Sequence, residues 1–114
     1  MTRDRRYATR YPFVAAAEIF ELLTGASLNA RTSDLSIVGC YLDTLNPLPS
    51  GTEVQLEITH EGEMFSTLGI VAHSNLNSGM GILFKAMSRE QEILLQKWLD
   101  RLSGDPEAPP LATR

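Results

Sequence analysis

A single cysteine, Cys40, is the first shortage in this chain of 114 residues. It excludes an internal disulfide and agrees with a reducing compartment. Long apolar runs are missing as well. Nothing approaches the roughly eighteen apolar residues of a membrane span, and the start Met1-Thr2-Arg3-Asp4-Arg5-Arg6 lacks the hydrophobic stretch of a secretory signal. No membrane insertion is expected, and the expected address is cytoplasmic. Positive charge is scarce: lysine and arginine number 10 against 14 aspartates and glutamates, a formal net charge of −4. A face for long DNA or RNA normally makes a domain basic, so no nucleic-acid polymer is expected as partner.

Catalytic groups are equally thin. No serine or cysteine nucleophile sits in a recognisable elbow. Gly79-Met80-Gly81 leads into a strand and not into a helix, so it is no phosphate loop. His60, His73 and Cys40 stand at no known metal spacing. Cys40 lies among Val38, Tyr41 and Leu42 and reads as a packed core thiol. The expectation is a non-enzyme, with no metal and no cofactor.

What is present is one domain's worth of alternating strands. Thr52 to Thr59 is the clearest, with Val54, Leu56 and Ile58 facing one way and glutamate and glutamine the other. Phe13 to Leu23 reads as a long first strand, Ser27 to Thr32 as a second leading into a corner at Asp34, and Gly39 to Leu42 as a third. Met64 to His73 and Met80 to Phe84 complete six, with turn residues between them. Short strands at regular spacing predict a small antiparallel barrel or sandwich. A helix follows. Ser88 is its N-cap, Gln91 completes a capping box, and Leu94, Leu95, Trp98, Leu99 and Leu102 form one apolar stripe. The boundaries expected are a flexible arginine-rich arm over 1–12, a barrel with its closing helix over 13–102, and a disordered tail over 103–114.

The basic charge that exists is concentrated. Arg3, Arg5, Arg6 and Arg10 crowd the first ten residues against Asp4 alone. Some two dozen residues later comes Asp34-Leu35-Ser36-Ile37-Val38-Gly39. Alone, the first reads as a solvated tail and the second as a turn. Together they couple a cationic arm to a compact polar corner. Arginine can chelate a phosphate or the O6/N7 edge of guanine, or stack on a base. Aspartate complements the donor edge of guanine, and a serine hydroxyl can donate or accept.

Arg6-x-x-x-Arg10, then D-x-S-x-x-G, then strands ending in Gly79-Met80-Gly81-Ile82-Leu83-Phe84 and a closing helix, resembles the PilZ domain of bacteria from residue 5 to about 102. The resemblance implies a six-stranded antiparallel β-barrel with a C-terminal α-helix that binds the second messenger cyclic di-GMP. It makes Arg6 and Arg10 the grips on phosphate and guanine, Asp34 and Ser36 the readers of a guanine edge, and Gly39 the open floor. Arg5 takes a variable position from which an arginine could stack on a base. Ala72-His73 departs from the family, which often has a valine and a basic or aromatic residue there. The implied function is a cyclic di-GMP receptor or adaptor that changes its surface to regulate an unidentified effector protein. The competing reading is a nucleotide-independent PilZ-type adaptor, which gains if the Trp98 stripe proves too exposed to be core.

Overall fold

The structure, a computed structural model, describes residues 8–104. Its elements run β1 (Tyr11–Pro12), β2 (Ala16–Glu21), β3 (Ser27–Leu35), β4 (Gly39–Asp43), β5 (Glu53–His60), β6 (Glu63–Asn75), β7 (Gly79–Phe84) and the helix α1 (Arg89–Leu102). Alternation decides which side of each strand is wet. Val54, Leu56 and Ile58 of β5 are fully buried, and so are Ile19 of β2 and Phe65 of β6. The sheet order is β1-β3-β2-β5-β6-β7-β4, and β4 pairs back onto β3. Six antiparallel strands therefore close the expected barrel, with β1 as a short extra strand on β3. Among the described residues, closure leaves the start of β6, before Gly69, as the main open edge of the barrel.

The limits of all six expected strands shift, and two of them miss a boundary by three residues. The first is not continuous from Phe13 to Leu23: regular pairing covers only Ala16–Glu21. Phe13 and Ala15 keep the buried alternation, but the buried Thr32 side chain takes over part of the ladder there. Its hydroxyl donates to the Phe13 carbonyl and accepts from the Ala15 N–H at 2.9 Å. The second strand does not stop at Thr32. It continues through Leu35, so Asp34 lies on a strand and the corner falls at Ser36 to Val38.

Helix α1 begins where Ser88 predicts, its hydroxyl accepting the Gln91 N–H at 3.2 Å. The capping box is only half made. Gln91 Oε1 instead accepts the Ser66 N–H of β6 at 2.7 Å. That bond has a use, because β7 pairs with β6 only from Gly69 onward. The earlier edge of β6 would otherwise be bare, and α1 covers part of it.

The apolar stripe of α1 is core. Leu95, Trp98 and Leu99 are buried, and Trp98 is 1% exposed. The indole ring meets Phe13, His60 and Phe65 at centroid distances of 5.5, 5.7 and 6.1 Å. Its Nε1–H donates to Glu63 Oε1 at 3.1 Å, while Lys97 Nζ bonds Glu63 Oε2 at 2.8 Å. These two hydrogen bonds hold the Glu63 carboxyl below the usual glutamate range. The stripe is thus not the exposed surface that the adaptor reading needs. Among the described residues no helix is long and apolar enough to cross a membrane.

Candidate functional site

Two β-bulges shape the outer surface of the barrel. Along β3, Leu28, Ala30 and Thr32 face inward. The register with β4 then shifts between Thr32 and Asp34, leaving Ser33 as the extra residue. Beyond it the phase is inverted: Leu35 is fully buried and Asp34 faces out. The same device recurs in β6. Phe65, Thr67, Gly69 and Val71 point inward, then the register with β7 shifts between Val71 and His73. Ala72 and His73 are both exposed as a result. Without the bulges, continued alternation would send the aspartate and the histidine into the core.

Asp34 is held from two sides. Its Oδ1 accepts the Tyr41 N–H at 3.1 Å and its Oδ2 accepts Arg10 Nη2 at 2.8 Å. The Arg10 side chain is 57% exposed and that of Asp34 25%. Such an open pair is worth about 0–1 kcal/mol and can be exchanged for another partner. Arg10 and Asp34, with Ser36, Cys40, His73 and Ile82 among their neighbours, line a cavity of about 100 Å³. Pockets that engulf a whole small molecule run to roughly 300–1,000 Å³. This one is too small for a whole molecule of that size.

Ser36 is placed differently from the expectation that it reads a base. It is buried, and its hydroxyl accepts from the N–H groups of Val38 and Gly39, each at 3.2 Å, and donates to the Gly39 carbonyl. It is spent on closing the β3–β4 turn. Gly39 is constrained from the barrel side: a Cβ there would strike the Ile82 carbonyl oxygen of the neighbouring β7. Any side chain at position 39 would collide with the paired strand β7. Cys40 is buried, and burial aided by the Asp34 charge pushes its thiol well above the usual range. It is a packed thiol and not a nucleophile at neutral pH. Among the described residues no group of three or more His, Cys, Asp or Glu is placed to hold a metal.

Two neighbours of the site were not among its expected ligand residues, although His73 is part of the departure from the family pattern. The Tyr41 and His73 rings lie 6.1 Å apart with their planes at 34°. His73 covers Gly81 so closely that a Cβ at Gly81 would sit 2.6 Å from its Cε1. Tyr41 is fixed at its far end, where its hydroxyl accepts from Asn75 Nδ2 at 2.7 Å. Together they form a two-ring shelf beside Asp34, resting on the strand that carries Gly79-Met80-Gly81. That glycine pair, opposite an aromatic residue and a histidine, is the signal that could have revealed it. Arg5 and Arg6, the other expected ligand residues, lie outside the described residues.

Residues 4–101 match the PilZ domain family. No curated protein is detectably similar to the chain. Among solved structures, the PilZ domain of CeSA from a cellulose-synthesizing bacterium is similar, with a TM-score of 0.65 and 19% identity over 82% of this chain and 97% of that one. The PilZ domain of YcgR from Escherichia coli, solved with c-di-GMP, gives a TM-score of 0.70 and 19% identity over 87% and 92%. The Bacillus subtilis inhibitor of motility, MotI/DgrA, gives 0.72 and 13% over 89% of this chain and 52% of that one. At these identities the structures speak for the fold.

Proposed function

The chain belongs to the PilZ domain family, and from that premise we propose that it is a non-catalytic receptor for cyclic di-GMP, acting at the surface around Arg10 and Asp34. One observation carries the reading: the second motif arginine and the motif aspartate are already paired at 2.8 Å on the outside of the barrel. The family and its c-di-GMP-bound relative YcgR support the choice of ligand.

Cyclic di-GMP offers two phosphates and two guanines. The Asp34 carboxylate has about four lone-pair sites, of which Tyr41 and Arg10 use two. The remainder can accept the N1–H and amino group of a guanine entering the cavity. Arg10 can then turn to a phosphate. The exchange is favourable on magnitude, since an exposed ion pair is worth about 0–1 kcal/mol and a charge-assisted hydrogen bond roughly 1.5–3 kcal/mol. The Tyr41–His73 shelf can support a second base by stacking. Arg6 would grip beside Arg10, and Arg5 would stack or bind phosphate. Ser36 and Gly39 serve by holding the β3–β4 turn beneath the ligand.

The signal is a population shift. Nucleotide favours the arm closed on the Asp34 side, and an effector protein binds or leaves the altered surface. No metal, cofactor or catalytic step is assigned to the site. Isothermal titration calorimetry of the chain with cyclic di-GMP tests the reading, beside an Arg6→Ala/Arg10→Ala double variant. Binding to the parent and its loss in a folded double variant is the expected result. A folded parent chain that gives neither heat nor thermal shift sinks the reading.

A further inference from the structure

Phe13 stands three residues after Arg10 and belongs to both ends of the molecule. Its backbone is tied to β3, with its N–H donating to the Ser33 carbonyl at 3.1 Å and its carbonyl accepting from Thr32. Phe13 is 4% exposed, and its ring packs against His60 at 4.8 Å and Trp98 of α1 at 5.5 Å. The bulge at Ser33, which turns Asp34 outward, is therefore also the anchor of Phe13. Between Arg10 and Phe13 stand only Tyr11 and Pro12, and these are already paired with Leu35 and Asp34. Little slack remains between the site and the helix.

We propose that α1 is coupled to the occupied site through Phe13, so that fixing Arg10 on an anionic nucleotide and docking α1 are parts of one equilibrium, and the docking of α1 is what a partner reads. This rests on the receptor reading above. The sign follows from the geometry. Nucleotide held by Arg10 and Asp34 pins β1 from both sides, which steadies Phe13 and with it the seat of Trp98. Occupancy then favours docked α1, and docking favours the nucleotide by the same factor. Phe13 acts here as a positioning residue, since it does not line the cavity at Asp34.

The test uses the full chain and cyclic di-GMP. Calorimetry first reads binding. Amide hydrogen exchange then follows Leu95–Leu102 of α1 against Val54–Ile58 of β5, with emission from Trp98, the sole tryptophan, as a second probe. Saturating nucleotide is expected to slow exchange in α1 at least about fivefold more than in β5, a factor at the low end of measured couplings. In Phe13→Leu, which retains Arg10 and Asp34 and fills most of the same space, binding should persist while that excess slowing disappears. A purely structural role for Phe13 would leave the excess intact. Binding without excess slowing in the parent, or full excess in Phe13→Leu, overturns the coupling and spares the receptor reading. No binding by a folded parent overturns both.

Discussion

Around Arg10 and Asp34 the contacts are polar, directional and open to water, whereas beneath α1 they are aromatic and dry. Site and seat share β6, and β3, which carries Asp34, anchors Phe13 through Thr32 and Ser33; both strands change character along their length. In β6 the shift comes at Ala72, and in β3 at Ser33. Before the bulge each strand contributes to packing, and after it each presents a side chain outward. The difference separates stability from recognition. The Arg10–Asp34 pair is open to water, and the groups that hold the barrel together are kept from solvent.

The contrast can be broken by substitution. Trp98→Ala should cost the most stability, about 3–5 kcal/mol, because a buried indole leaves a cavity; denaturant titration measures it. A loss under 1 kcal/mol would mean that α1 is not integral to the core. Arg10→Ala should do the reverse, changing stability by less than about 1 kcal/mol. Calorimetry should show it weakening cyclic di-GMP roughly ten- to a hundredfold, the worth of one charge-assisted contact.

Gly39→Ala tests the boundary between the two regions. The added methyl meets the Ile82 carbonyl, and the strain should destabilise the fold by about 1–3 kcal/mol. Thermal melting with and without nucleotide would show whether that strain also reaches the ligand.

The smallest effect is in acid. The hydrogen bonds from Lys97 and Trp98 lower the pKa of Glu63 in the fold, so its contribution to stability is present above the ordinary glutamate pKa. As pH falls from that value through the lowered one, the contribution is lost. Melting temperature followed across this window should fall less steeply in Glu63→Gln than in the parent. An identical profile would mean that the carboxylate does not clamp the helix.

Much of the fold was legible because burial on one face writes itself as alternation, as in Val54, Leu56 and Ile58. The helix was legible from its cap and stripe, and residue type and spacing singled out Arg10 and Asp34, which the structure pairs. The bulges were not. Ser33 and Ala72 are unremarkable in isolation, and an extra residue exists only relative to the strand opposite. The reading therefore ended β3 too early and missed His73 as a neighbour of Asp34. Gln91 misled for a related reason: its side chain had a better partner in β6 than in its own helix turn. Ser36 was found for its type, but the hydroxyl's full set of bonds within the turn is a fact of conformation.

The order of strands around the barrel has a consequence for the growing chain. Asp34 and Tyr41 come from the first half of the sequence, and His73 and Gly81 from the second, joined where β4 meets β7. A ribosome must release the polypeptide beyond Phe84 before that seam can zip shut. A nascent or truncated product lacking β7 can carry both arginine and aspartate signatures and still have no shelf beside them. The seam beside Asp34 is thus completed only after β7 has been made.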